Sequence, residues 1–253
     1  MQRSTSGASP VDDQLTRDDF LDGRVRAWQS RRGFRSGTDA VLLAAAVPAA
    51  AGDTVLELGC GVGVAALCLA HRIPGARVTG VEVQPDYAAL ARRNGVTCVT
   101  ADLADLPADL RQLQFAHVMM NPPFFEAARG RPASDPGRAT ALAGDTPLTV
   151  WIATGLRRLA PGGSLTILQH IARLPECMEA VRGRLGHVVL RPIAARAGHP
   201  PERFLLQGRL GTRGAFRMTA PLVMHDGPLH AADGDDFTPV ARAILRDGAP
   251  LND

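Results

Sequence analysis

Short apolar runs alternate with amphipathic stretches between residues 38 and 210, and that alternation sets the expected architecture. Residues 54–58, Thr-Val-Leu-Glu-Leu, have the near-continuous apolar character of a buried strand. A glycine-rich turn follows, and then Val64, Leu67 and Leu69 recur at helical spacing. The unit repeats at once: 77–83 reads as a strand, 85–94 as a helix with Pro85 in its first turn, and 96–101 as a third strand. Residues 115–120 read as a fourth strand, 148–159 as a helix, 164–169 as a strand and 176–185 as a helix. Residues 188–193 and 204–210 are expected to form an antiparallel pair at the sheet edge. Ahead of all these, Thr38-Asp39 reads as a helix N-cap pair, and the apolar run through Val41, Leu42, Leu43 and Val47 stops at Pro48. Strands alternating with helices specify an α/β fold, a doubly wound and mostly parallel sheet.

The remaining stretches carry less pattern. Residues 1–16 are rich in Ser, Asp and Gln, so 1–19 is expected to be a disordered lead-in and the folded chain to begin near Phe20. Residues 20–50 then form an N-terminal extension, 51–215 the sheet domain, and 216–253 a poorly patterned tail. Residues 125–145, rich in Gly, Pro and Arg, read as a long functional loop.

Composition narrows the class. Hydrophobic residues make up 45% of the 253 and charged residues 21%, an ordinary balance for a soluble domain. The longest apolar stretch, 40–51, is too short for a bilayer and contains Pro48, and the polar N-terminus lacks a secretory segment, so a cytoplasmic protein is expected. Cys60, Cys68, Cys98 and Cys177 fall singly and His residues show no ligand spacing, so no metal site and no disulfide framework is expected. All 28 basic residues are Arg and the net charge is +3. Two clusters, Arg24, Arg26, Arg31, Arg32 and Arg35, then Arg129, Arg131 and Arg138, suit either solvated surface or contact with RNA phosphates.

Two motifs carry chemistry. In Glu57-Leu-Gly-Cys-Gly-Val-Gly63 the glycines fall at alternate positions, Gly59, Gly61 and Gly63, and Val64 stands where a dinucleotide fingerprint needs a small residue. Glu57 at the strand end would repel a pyrophosphate but suits a ligand bearing an ammonium and a sulfonium, which points to S-adenosylmethionine. Glu82 and Asp102 end the next two strands and can take ribose hydroxyls and an adenine amino group, or can act as helix caps before Pro85 and Leu103. Asn121-Pro122-Pro123-Phe124 ends the fourth strand. The Asn121 side-chain oxygen and the Pro122 carbonyl can accept both hydrogens of a planar amine or amide while Phe124 stacks on its plane; the plainer reading is a rigid turn with Phe124 as packing.

With these residues in view the chain resembles the class I S-adenosylmethionine-dependent methyltransferases of the small-domain group, most nearly the valine tRNA adenine N6-methyltransferase family. The likeness is carried by Arg26-Ala-Trp-Gln29, Gly33-Phe-Arg-Ser-Gly-Thr-Asp39, residues 55–63, Val81-Glu-Val-Gln-Pro85 and the Asn-Pro-Pro-Phe motif, with residues 237–245 also familial. It implies a seven-stranded Rossmann-like sheet, with Thr38 and Asp39 closing over the methionine end of the cofactor and Arg35 approaching substrate. Phe125, Arg129 and Arg131, just past the motif, join Phe124 as expected substrate contacts. Phe124 stands where many relatives have Tyr, which keeps the stacking and drops a hydroxyl. The expected activity is methyl transfer to N6 of an unpaired adenine in tRNA. A protein glutamine or an rRNA guanine N2 acceptor presents the same planar nitrogen, and a non-catalytic RNA-binding module is a further alternative, opposed by the intact acid set.

Overall fold

Among the described residues nine strands form one sheet, and the order of the central ones explains where a ligand can bind. The computed structural model describes residues 14–124, 146–227, 229 and 236–251. An antiparallel hairpin comes first, β1 (Leu15–Phe20) and β2 (Val25–Ser30), followed by α1 (Thr38–Ala46). The sheet domain then runs β3 (Thr54–Leu58), α2 (Val64–Arg72), β4 (Arg77–Glu82), α3 (Pro85–Arg93), β5 (Thr97–Thr100), α4 (Ala108–Gln112) and β6 (Phe115–Met120). After residue 146 come α5 (Leu148–Arg158), β7 (Leu159–His170), α6 (Leu174–Val181), β8 (Leu185–Arg196) and β9 (Arg203–Leu210). Two short strands, β10 (Arg217–Met218) and β11 (Leu222–His225), precede α7 (Pro239–Asp247).

The seven main strands lie in the order β8-β9-β7-β6-β3-β4-β5, with β10 and β11 added alongside β8. Strands β5, β4, β3, β6 and β7 are parallel, and β9 runs antiparallel between β7 and β8. The expected antiparallel pair is therefore present, but β9 is interior and β8 is flanked as well. The chain leaves β3 toward β4 on one side and returns to place β6 on the other, so a crevice opens at the carboxyl ends of β3 and β6.

Alternation along the strands divides the core into two layers. Val55, Met119 and Leu205 face α1, α2, α7 and the hairpin, whereas Leu56, Leu58, Val118, Met120, Phe204 and Leu206 face α5 and α6. Helix α1 is buried from Val41 to Ala46 because it is covered by α2 and α7. Its N-cap is Gly37, with no side-chain cap, so the Thr38-Asp39 capping expectation is corrected.

Two expectations about the ends of the domain also change. Residues 15–19, assigned to the lead-in, form most of strand β1; residues 1–13 lie outside the described residues. The tail contributes β11 and α7, whose Ala241 and Ile244 are buried, and Leu251 donates its N–H to Ala45 O over 2.9 Å. The apolar face of α7 covers α1 that would otherwise meet water.

Candidate active site

A cleft of about 470 Å³ opens over the carboxyl ends of β3, β4, β5 and β6, a size suited to a small molecule. Its floor is the turn after β3. Gly59 has φ +66°, and a Cβ there would lie 2.4 Å from the Trp151 ring, so the turn accepts only glycine. Gly61 has φ +55°, yet a Cβ there would meet nothing within 4 Å, so bare backbone faces the cleft. Gly63 is not among the lining residues: it begins α2 and packs against Val96.

Carboxylates set the electrostatics. Glu57 is buried at the end of β3 and its Oε2 has no hydrogen-bond partner among the described residues. Burial pushes its pKa well above the usual range, against the pull of the Ala66 N–H, and the nearby Cys98 and Glu82 add to the rise. Glu82 accepts the Gly61 N–H on Oε2 and the Gln84 N–H on Oε1, both at 2.9 Å, so it ties the glycine turn to the end of β4. Its pKa is also raised by burial, with these backbone donors opposing. Asp102 Oδ1 accepts the Ala104 N–H over 2.8 Å, which closes a turn where a helix cap was the alternative, and the residue lines the cleft. Val83, 52% exposed, and buried Leu103 add apolar lining beside these acids.

On the opposite wall, Asn121, Pro122, Pro123 and Phe124 leave β6 and line the cleft together. Asn121 Oδ1 is buried without a partner among the described residues. Such an orphaned acceptor costs about 1–3 kcal/mol unless a donor reaches it. The Phe124 ring sits 6.4 Å from the His170 ring, tilted by 45°. The roof is the segment after the hairpin, residues 34–40. It is held from below by Gln29, which bonds both the N–H and the carbonyl of Ser36, and by the Tyr87 hydroxyl, which accepts the Phe34 N–H over 2.9 Å.

Residues 30–189 match the methyltransferase small domain family. The chain belongs to that family. A relative from Porphyromonas gingivalis, named tRNA1(Val) (adenine(37)-N6)-methyltransferase, is 30% identical over 215 residues, covering 78% of this chain and 84% of that one. One from Aeromonas hydrophila with the same name is 32% identical over 216 residues, covering 81% and 86%. The crystal structure of a predicted O-methyltransferase from Agrobacterium tumefaciens superposes with a TM-score of 0.67 at 27% identity, covering 84% of this chain and 98% of that one. A T. thermophilus 16S rRNA N2 methyltransferase, solved in complex with AdoMet and guanosine, shares the fold at a TM-score of 0.52 and 20% identity, covering 79% and 45%. The protein is an S-adenosylmethionine-dependent methyltransferase. Two features of the cleft fit that cofactor: the unpaired Glu57 oxygen suits its ammonium group, and the exposed backbone at Gly61 allows close approach.

The methyltransferase brings Thr38, Asp39, Glu57, Gly59, Gly61, Glu82, Asp102, Asn121, Pro122 and Phe124 to one cleft, and leaves Gly63 outside it. Arg35 reaches the rim, but its guanidinium is engaged by the hairpin, with an ion pair to Asp18 and bonds of 2.9 Å to Thr16 Oγ1 and Ser30 O. Phe125, Arg129, Arg131 and Arg138 lie outside the described residues. Asp39 is not free either: it pairs with Arg203 of β9, and burial raises its pKa against that partner. Arg203 and Trp151 are lining residues that sequence reasoning missed. Nothing in a strand-edge Arg or a helical Trp distinguishes them until β9 and α5 are packed. Among the described residues no group of three or more His, Cys, Asp or Glu is placed to hold a metal, and no helix is long and apolar enough to cross a membrane.

One further constellation has a catalytic look. His117 Nδ1 lies 2.7 Å from Ser164 Oγ and its Nε2 lies 3.0 Å from Asp53 Oδ2. The three sit at the amino ends of the strands, away from the cleft, with Ser164 and His117 buried, so they join β3, β6 and β7 rather than meet a substrate.

Proposed function

We propose that this methyltransferase transfers a methyl group to the exocyclic N6 of an unpaired adenine in tRNA. The observation that carries the reading is the orphaned, buried Asn121 Oδ1 beside the Pro122 carbonyl and the Phe124 ring. Relatives at 30% and 32% identity are named as tRNA adenine N6-methyltransferases, which favours adenine over the other planar nitrogens that such a pair would accept. Acting on tRNA places the enzyme in the cytoplasm with a nucleic-acid partner.

In this reading Glu57 holds the cofactor's ammonium, Glu82 its ribose hydroxyls and Asp102 its adenine amino group, with Thr38 and Asp39 closing over the methionine end. When bound, S-adenosylmethionine supplies an electrophilic methyl carried on a sulfonium. The protein's task is to prepare the acceptor nitrogen, whose lone pair is delocalised into the purine ring. Asn121 Oδ1 accepts one amine hydrogen and the Pro122 carbonyl the other, which draws the nitrogen out of conjugation and stabilises the positive charge it gains. Phe124 stacks on the base, which is reachable only when unpaired or turned out of its stack. No strong general base is needed, since the charged nitrogen is strongly acidic and releases its proton to water once the methyl has been gained.

The test is incubation with labelled cofactor and unmodified tRNA, followed by nucleoside digestion and mass analysis, with Asn121→Ala in parallel. N6-methyladenosine that vanishes in the variant is the expected result. Cofactor binding without any methylated adenosine would overturn the adenine assignment and turn the search to guanine N2 and carboxamide acceptors.

A further inference from the structure

Pro122 and Pro123 have no backbone N–H, so the parallel ladder of β6 and β7, paired as far as Met120 and Ile167, loses its donors at the motif. Across that gap stands Gln169, two residues past Ile167 on β7 and completely buried. Its Nε2 donates to the Pro122 carbonyl over 3.2 Å, and its Oε1 accepts the His170 N–H over 2.7 Å. The second bond fixes the first: with the oxygen facing an N–H donor, the NH₂ must face the carbonyl. Gln169 does not itself line the cleft, whereas Pro122 does.

A carbonyl oxygen offers two acceptor positions. Gln169 takes one at Pro122 and leaves one for the cleft side. We infer that Gln169 is a positioning residue for methyl transfer: its carboxamide donates to the Pro122 carbonyl where the ladder of β6 and β7 has ended, and fixes that carbonyl in the direction from which it receives the second hydrogen of the acceptor's amino group. The inference rests on the amine-acceptor reading above, and holds equally for adenine, guanine or a carboxamide. Without that bond the carbonyl keeps its chemistry and loses its aim. A misplacement on the order of 1 Å at a reacting group can cost about a hundredfold in rate.

A residue that only fills and satisfies the core would show the same two bonds, so the test needs a property that separates aiming from filling. Gln169→Glu supplies one. A protonated glutamic acid has the shape and the hydrogen-bond polarity of glutamine, with one oxygen accepting from His170 and an O–H donating to Pro122; once ionised it presents only acceptors to a carbonyl. Burial at this position raises the carboxyl's pKa, which brings the change into the range of an assay.

The experiment measures kcat, acceptor KM and the thermal shift on adding S-adenosylmethionine across pH, for wild type, Asn121→Ala, Gln169→Glu and Gln169→Leu. For Gln169→Leu we expect kcat lowered about ten- to a hundredfold at every pH, with KM and cofactor shift near wild type. For Gln169→Glu, the ratio of its kcat to that of wild type should approach one at low pH and fall as pH rises. An active wild type with Gln169→Leu at full kcat, or a Gln169→Glu ratio that ignores pH, overturns the inference alone. A wild type that methylates no nitrogen acceptor overturns the amine-acceptor reading and this inference with it.

Discussion

Glu57 is a carboxyl group removed from water with one oxygen left unpaired, an arrangement that a stability argument alone would remove. Its raised pKa says that the folded protein resists ionising it. Replacement by glutamine keeps the shape and discards the charge. Glu57→Gln is therefore expected to melt no lower than wild type while its affinity for S-adenosylmethionine falls by about 1.5–3 kcal/mol, the worth of a charged hydrogen bond. Calorimetric titration beside a thermal melt checks both halves; a variant that loses stability and keeps affinity would assign Glu57 to the fold instead. Glu57, Glu82, Asp102 and Asn121 were legible in the sequence because each stands where an apolar run stops, and in a parallel sheet all such stops gather at one edge. Arg203, Trp151 and Gln169 were not, because their neighbours Asp39, Gly59 and Pro122 lie far away in the chain and become neighbours only through packing.

The hairpin of β1 and β2 is the element least legible in the sequence, although it carries a hairpin signal at Asp22-Gly23, where φ is positive at both residues. Thr16, Arg17, Asp18 and Asp19 hide the alternation of β1, and the inward Asp18 is tolerated only because Gln29 and Arg35 bond it. The docking device is Asn94 at the end of α3. Its Oδ1 accepts the Trp28 N–H over 2.7 Å, and its Nδ2 donates to Trp28 O over 3.1 Å and to Val62 O over 2.9 Å. One side chain thus joins the hairpin, α3 and the glycine turn. Asn94→Ala leaves three backbone groups without that partner, and should lower stability by about 1–3 kcal/mol and weaken cofactor binding as well. Urea melts with and without S-adenosylmethionine measure the two effects. Loss of stability with unchanged cofactor affinity would show that the hairpin docks independently of the turn.

Across the whole molecule, ionisable groups at the two ends of the sheet respond to pH in opposite directions. At the carboxyl ends, Asp39, Glu57 and Glu82 all have pKa values raised, by burial first. Above its unfolded pKa each binds more protons folded than unfolded, so stability falls as pH rises from about 4 through the folded values. At the amino ends, Asp53 is held low by the Ala50 N–H first and His117 second, so its contribution is present above the unfolded pKa and is lost as pH falls through the folded value. The cofactor-free enzyme should therefore be most stable at mildly acidic pH, losing stability on the alkaline side through the cleft and on the acid side through Asp53. A cation in the cleft favours the ionised carboxylates, so S-adenosylmethionine should raise the melting temperature more at pH 7.5 than at pH 5.5, about three and one units respectively above the ordinary carboxylate range ending near 4.5. Glu57→Gln should flatten the alkaline slope without cofactor, and Asp53→Asn the acid one. Melting curves of the three proteins from acid to neutral pH, with and without cofactor, decide it. A cofactor-free wild type whose stability climbs steadily up to neutrality would mean that the cleft carboxylates are already ionised, and that Glu57 finds its counter-charge within the protein.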